Sequence, residues 1–375
     1  MSFINFKKSH WKWTLMDSYL LKKFIGSVFY SIALLMTIIV VFDISQNMQY
    51  FNNTTTKSVI TEYYFNFIPY FLNLFFPLFT FISVIWFTSK LSGRNEIISF
   101  FNGGVSFYRF IVPYIVGAIL LGIFSLALAN FIVPNSNKEL NEFKDKYFHA
   151  HKSTILTGSI SQRNLHFKNT QNSYVYVRDW RKTKLEGEKF TYEILGDENI
   201  PYKLSAEHIH YDTKSKMWVL NSFYVRTFDE KGNEHIRTGE RLDTTFNFLP
   251  EEFSPDVASA TTMNYRDLKK FIAKEKAKGS SLVKSYQIEE HRRVANPASI
   301  IVMTLLGLCV AARKTQRGIG VHMFFGMAFV FAFIFLQQVS TVFAVSESLS
   351  PAMAIWLPNL IYLGICVILL ITIPK

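Results

Sequence analysis

Charge is missing from six long stretches of this 375-residue chain, and cysteine is nearly missing from all of it. The two cysteines, Cys309 and Cys366, both fall inside charge-free stretches, so neither a disulfide framework nor a cysteine-based metal site is expected. No Gly-x-x-x-x-Gly-Lys-Ser/Thr run occurs, which excludes a P-loop cradle for nucleotide phosphates. His-Glu-x-x-His and a serine elbow are absent as well. His149, His151, His208, His210 and His291 lack ligand-like spacing with cysteine or carboxylate, and they read as surface or core residues of a β domain. The chain is therefore expected to be no enzyme and to bind no cofactor or metal of its own.

The charge-free stretches are Phe24–Phe42, Tyr63–Ser89, Phe110–Pro134, Val294–Ala312, Gly318–Ser346 and Ser348–Pro374. Each has the length a helix needs to cross roughly 30 Å of hydrocarbon at about 1.5 Å per residue. They predict a polytopic α-helical membrane protein with six transmembrane helices, three before residue 135 and three after residue 293. A mean hydropathy of +0.16 averages this apolar part with a wet one between the two triplets. Phe24–Phe42 is too long for a signal peptide and lacks a small-residue cleavage site, so it reads as a retained first span. The expected organisation is 1–134 for the first three helices, 135–262 for an extracytoplasmic domain, 263–293 for a connecting helix and 294–375 for the last three helices.

Short-loop charges set the expected orientation. Lys7, Lys8, Lys12, Lys22 and Lys23 precede the first span, Lys90, Arg94 and Arg109 lie between the second and third, and Arg313, Lys314 and Arg317 lie between the fourth and fifth. By the positive-inside rule these regions and both termini are cytoplasmic, and the large insert is outside. Asp43–Glu62, with Lys57 as its one basic residue, agrees. The insert carries 27 basic and 23 acidic residues, so most of the formal +12 charge belongs to the membrane part. It is a topology signal and an attraction to anionic lipid, with no need of a nucleic-acid partner.

Between Arg163 and Leu249 the pattern turns to period two. Arg163–Lys168, Ser173–Trp180, Lys189–Leu195, Tyr202–Tyr211, Met217–Phe228 and Leu242–Leu249 read as strands, with no helical interlude, and predict an antiparallel sandwich or jelly roll. In Met217–Phe228 strict alternation puts Met217, Val219, Phe223 and Val225 on one face and Trp218, Leu220 and Tyr224 on the other. An ordinary filled sandwich and one that holds an apolar ligand are both compatible with this pattern. Tyr174, Val219, Phe223 and Phe246 are the candidate lipid-path residues. A helix follows, with Asn264 as N-cap and Tyr265, Leu268, Phe271 and Ile272 as its apolar stripe. Its lysines, Lys269 and Lys270 first among them, either meet lipid phosphates or form a solvated face.

Ion-coupled carriers place charged groups near the bilayer midplane. Here Asp43 and His322, both near span ends, are the nearest such groups, which disfavours ion coupling. The loop from Ser89 to Gly104 carries more information. It reads as a short helix starting near Asn95 and stopped by Gly103-Gly104, bearing one acid and several apolar residues. That is what an ABC permease offers to the groove of its ATPase, and a connector lying at the membrane surface is the alternative. Arg94, Glu96, Ile97 and Phe100 are the candidate coupling residues.

Arg94-Asn95-Glu96-Ile97-Ile98 with Gly103-Gly104-Val105-Ser106 resembles the corresponding loop of the LptF/LptG lipopolysaccharide-export permeases. The resemblance extends to Asp17-Ser18-Tyr19-Leu20-Leu21-Lys22-Lys23-Phe24, to Leu204-Ser205-Ala206-Glu207 and Trp218-Val219-Leu220, to His291-Arg292-Arg293-Val294-Ala295-Asn296-Pro297, and to Trp356-Leu357-Pro358-Asn359. It covers nearly the whole chain, with the LptG type the nearer fit. It implies two half-permeases, each with an extracytoplasmic jelly roll, over a dimer of an LptB-like ATPase in the bacterial inner membrane, with ATP-Mg held by that ATPase. An LptF-like second half-permease and an LptC-like bitopic protein are the other implied partners, and lipopolysaccharide is the implied cargo. Glu96 takes the place of the family's coupling-helix glutamate, and the first and fifth spans take the place of its lateral gates. One departure is that Ser31–Thr56 has no basic residue, where family members carry some that meet lipid phosphates; the headgroup contacts then fall to the partner half-permease, to Lys57, or to a lipid A with fewer phosphates to contact. A permease for another lipid or lipoprotein, or a non-transporting envelope anchor, would share much of this architecture.

Overall fold

The computed structural model describes residues 13–52, 54–149, 161–170, 172–181, 184–196, 201–228, 232–253, 257–278, 280, 282–312, 319–346 and 348–372. Lys7, Lys8, Lys12, Arg313, Lys314 and Arg317, which carry part of the orientation argument, lie outside these residues.

Six helices are long and apolar enough to cross a membrane. In chain order the helices are α1 (Leu15–Phe51), α2 (Thr56–Gly93), α3 (Glu96–Asn102), α4 (Phe107–Phe148), α5 (Val257–Thr262), α6 (Tyr265–Ala277), α7 (Val283–Ala311), α8 (Ile319–Val345) and α9 (Pro351–Thr372). The six spans are α1, α2, α4, α7, α8 and α9. Several outrun the charge-free stretches that announce them, because a helix keeps its backbone hydrogen bonds across the interface and ends only at a cap. Thus α1 begins at Leu15, well before the charge-free stretch opens at Phe24, behind Thr14 in extended conformation, whose backbone N–H donates to Asp17 Oδ2 at 2.7 Å. Prolines 69, 77, 113, 297 and 358 lie inside spans, where neighbouring helices compensate the lost backbone bonds.

The chain divides into two compact units, residues 1–140 with 288–375, and residues 141–287. In the membrane unit α1 packs on α2 and α4, and α8 packs on α2 and α9. Close approach needs small residues: a Cβ added at Gly117 of α4 would meet the Phe24 ring of α1 at 2.6 Å. Polar side chains bridge the helices, with Ser27 Oγ 2.8 Å from Ser83 Oγ and Thr88 Oγ1 3.1 Å from the Tyr114 hydroxyl. Two of the sequence motifs meet here. Asn359, after Pro358 in α9, lies 2.7 Å from Ser299 Oγ and donates from Nδ2 to the Ala295 carbonyl at 3.4 Å, all buried beside Pro297 of α7.

The second unit contains a six-stranded antiparallel sheet in the order β1 (Ser161–Thr170), β2 (Ser173–Arg181), β3 (Glu186–Ile194), β4 (Tyr202–Asp212), β5 (Met217–Phe228) and β6 (Glu234–Thr244). The inserted all-β domain is therefore present, and its described strands form one antiparallel sheet paired in sequence order. The sixth strand differs from expectation. It runs Glu234–Thr244, a polar edge strand exposed on most of its length and so without alternation to betray it. The apolar run read as a strand, Leu242–Leu249, leaves the sheet after Thr244 and folds over its inner face, where Phe248 and Phe253 are buried among Trp180, Phe190 and Trp218.

A single line crosses all six strands: Asn164, Arg178, Lys189, Glu207, Ser222 and Glu240 stand opposite one another where the ladder skips a pair. On alternate strands the residue on this line is left-handed, with φ of 54° at Asn164, 52° at Lys189 and 53° at Ser222. Inward and outward positions exchange there on β2 to β5 at once, so pairing survives. Trp218 and Leu220 thus share the inner face with Phe223 and Val225, correcting the strict alternation read along β5. The outward side of the line is polar. Arg178 donates to Asp179 at 2.8 Å and to Glu188 at 3.1 Å, and the bond to Asp179 leads in holding the guanidinium's pKa above its ordinary value. At the β4–β5 turn the Lys214 backbone N–H and the Ser215 hydroxyl hold the Asp212 carboxyl below its ordinary value.

Candidate functional site

The loop between the second and third spans is built from two left-handed corners around one short helix. Asn95 has φ 61° and turns the chain out of α2; Gly104 has φ 82° and turns it toward α4 after α3. Asparagine and glycine are the residues that take this conformation at least cost, which is why the loop was legible as a helix between two breaks. Ser106 then caps α4 by accepting from the Arg109 backbone N–H at 3.3 Å.

The seven residues of α3 present two faces. Ile97 is 3% exposed and Phe100 is half-buried, both in the cluster of Leu20, Leu91 and Phe110. Ile98 and Phe101 are 36% and 37% exposed, with Glu96 half-exposed beside them. Arg94 is exposed, 3.9 Å from Glu96. Of the four residues selected from sequence, Arg94 and Glu96 thus reach the outer face of the loop, whereas Ile97 and Phe100 fix the helix to the bundle. Ile98 and Phe101 are the apolar residues available to a partner, and sequence reasoning passed over them. Their spacing of three, out of phase with the Ile97 and Phe100 pair, was the available signal.

The carboxylate of Glu96 accepts from the Tyr19 hydroxyl of α1 at 3.1 Å. Two residues earlier, Asp17 is fully buried; its Oδ2 accepts from the Thr14 backbone and hydroxyl at 2.7 Å each, and from Arg109. All of these residues belong to the same loop region and the start of α1.

The structure does not bring the four candidate lipid-path residues together. Phe223 is buried on the inner face of the sheet, and Phe246 joins it there, 5.6 Å from the Phe190 ring and 5.4 Å from Tyr192. Tyr174 and Val219 alternate to the outer face. The inner face is filled by aromatic rings around Trp180, which stacks on Phe253 at 4.6 Å, and is half-exposed where Phe246 borders Tyr192, itself beside Tyr202.

Among the candidate headgroup contacts, Lys57 is exposed in the first turn of α2, and Lys269 and Lys270 are exposed on α6. Lys278, the last lysine of the same run, is engaged instead in ion pairs with Glu252 at 2.5 Å and Glu275 at 3.9 Å. Toward the C-terminal end of α1, where basic residues are absent, Asp43 accepts from Asn47 at 2.9 Å and from the hydroxyls of Tyr63 and Tyr64 at 3.1 Å each. Among the described residues no group of three or more histidine, cysteine, aspartate or glutamate side chains is placed to hold a metal ion.

The family model described as "Lipopolysaccharide export system permease LptF/LptG" matches residues 18–372. The chain is also similar to the lipopolysaccharide export system permease protein LptG of Escherichia coli strain K12. The two are 19% identical over 295 residues, which is 78% of this chain and 79% of that protein. The LptG protein of E. coli O6:H1 strain CFT073 is similar to the same extent.

Proposed function

The chain belongs to the LptF/LptG family of lipopolysaccharide export permeases, and from that premise we propose that it is one half of an ATP-driven machine drawing lipopolysaccharide out of the bacterial inner membrane. The observation that carries this reading is α3: a helix anchored inward by Ile97 and presenting Glu96, Ile98 and Phe101 outward, which suits the groove of a separate ATPase. The energetics of the cargo demand such a motor. At about 0.8 kcal/mol per buried methylene, one acyl chain is held in the bilayer by roughly 10 kcal/mol. A lipid with several chains cannot enter water, so it passes from one apolar compartment to the next while ATP hydrolysis offsets the difference.

In this scheme both termini are cytoplasmic, an LptB-like ATPase dimer holds ATP-Mg and docks on α3, and an LptF-like half-permease completes the membrane cavity, with α1 and α8 as its lateral gates. The β domain lies in the periplasm. Acyl chains meet the inner face of its sheet near Phe223 and Phe246 and continue to an LptC-like bridge. Lys57, Lys269 and Lys270 supply cationic contacts for headgroup phosphates. The direct test is Glu96→Ala in the co-expressed complex. It is expected to lower ATPase copurification, or the lipopolysaccharide released per ATP, at least fivefold; parental values for both would remove α3 from the coupling path.

A further inference from the structure

The segment Asp17-Ser18-Tyr19 precedes the first apolar stretch, and nothing in the transport scheme so far gives it a task. The structure does. Tyr19 lies one turn into α1, and its hydroxyl donates to Glu96 of α3 at 3.1 Å across a sequence separation of 77 residues. Asp17 lies on the preceding turn and receives Arg109, the third residue of α4, across 92 residues. The two contacts bracket α3 in the chain, one at its first residue and one just beyond its exit corner. Beneath them Leu20 and Phe24 of α1 share one buried cluster with Ile97 of α3 and Phe110 of α4.

We propose that Tyr19 and Asp17 are positioning residues that clasp the first residue of α3 and the first turn of α4 to the start of α1, so that displacement of α3 reaches the first span through Tyr19 directly and through the α4 that Asp17 holds.

Three physical arguments favour this assignment. Asp17 is fully buried, and its Oδ2 gathers the Arg109 cation and the Thr14 donors, the compensation that a carboxylate in this position requires, so the contact with Arg109 is costly to break. Each corner of the loop is a single left-handed residue, Asn95 or Gly104, and such corners act as pivots unless another contact restrains them. The Tyr19 contact restrains the first residue of α3, next to the Asn95 corner, and the Asp17 contact restrains the first turn of α4, into which the Gly104 corner leads. Tyr19 also holds the Glu96 carboxylate on the outer side of α3, and Arg94 stands 3.9 Å away on the same side. The acid is therefore presented in a fixed direction before any partner arrives.

The inference rests on the coupling role proposed for α3, and the experiment separates the two. The complete complex, with its ATPase and second half-permease, is reconstituted in liposomes containing lipopolysaccharide, and lipid released per ATP hydrolysed is measured for Tyr19→Phe, Asp17→Asn and the exchange Asp17→Arg with Arg109→Asp. Tyr19→Phe removes one hydroxyl and keeps the ring, so it preserves packing. Tyr19→Phe and Asp17→Asn are each expected to lower the ratio at least threefold, and the exchange to recover it to within twofold of the parent. A parental ratio in Tyr19→Phe and Asp17→Asn would overturn the clasp. So would an exchange variant that assembles fully but recovers nothing. Glu96→Ala is measured in parallel: if it uncouples while Tyr19→Phe does not, the clasp alone fails, and if Glu96→Ala itself has no effect, the coupling role of α3 fails with it.

Discussion

Neighbouring isoleucines in α3 show how much a single position decides. Ile97 is buried against Leu20 and Phe110, whereas Ile98 faces outward, although the two are chemically identical and adjacent. Ile97→Ala is expected to destabilise the purified permease by about 2–4 kcal/mol, through lost burial and the cavity left behind, and to show it as a lowered unfolding midpoint. Ile98→Ala is expected to leave the midpoint within about 0.5 kcal/mol of the parent, since surface changes of this kind cost little, while reducing ATPase copurification. The opposite ranking would reverse the faces assigned to α3. From sequence the helix and its acid were legible, because Asn95 and Gly103-Gly104 are strong breaks. The assignment of its two apolar faces was not, because a seven-residue helix has barely two turns in which a stripe can declare itself.

The elements of the sheet carry a second lesson. Strands β2 to β5 each contain two consecutive polar residues in an otherwise alternating pattern: Arg178-Asp179, Glu188-Lys189, Glu207-His208 and Asn221-Ser222. Strict period two treats such a pair as noise. In the sheet it marks the line where these strands exchange faces, with left-handed residues at Asn164, Lys189 and Ser222 on alternate strands. A β-branched residue takes that conformation poorly, so Ser222→Val is expected to cost about 1–2 kcal/mol and Ser222→Gly to cost nothing. Hydrogen exchange of the β4 and β5 amides checks it: faster exchange is expected in Ser222→Val alone. Equal protection in both variants would mean that the exchange of faces does not depend on backbone handedness. The edge strand β6 escaped prediction for a related reason. An edge exposed on most of its length needs charge to resist unwanted pairing, and charge erases the hydrophobic signature by which a strand is recognised.

At the scale of the whole molecule, the proposed lipid route and the two faces of the sheet make a joint prediction. A photoreactive residue at Phe223 or Phe246 is expected to crosslink lipopolysaccharide during ATP turnover, and one at Tyr174 or Val219 to give at least fivefold less adduct, because the latter pair lies on the opposite face. Mass analysis of the adduct identifies the lipid at the same time. Adducts from all four positions in equal yield, or from Tyr174 and Val219 alone, would exclude the inner face as the path.

The sequence alone determined that this chain spans a membrane six times and carries an all-β insert, because the cost of charge in hydrocarbon and the period of a strand are local properties that every stretch of residues must obey. It also determined the loop that turns at Asn95 and Gly104, since few residues accept a left-handed backbone. Only the tertiary structure decided that Tyr19 meets Glu96, that Asp17 meets Arg109, that Asn359 meets Ser299, and that Phe223 and Val219 part company. Those outcomes depend on which distant segments are packed against each other and on where a strand exchanges its faces, and neither is written in the spacing of neighbouring residues.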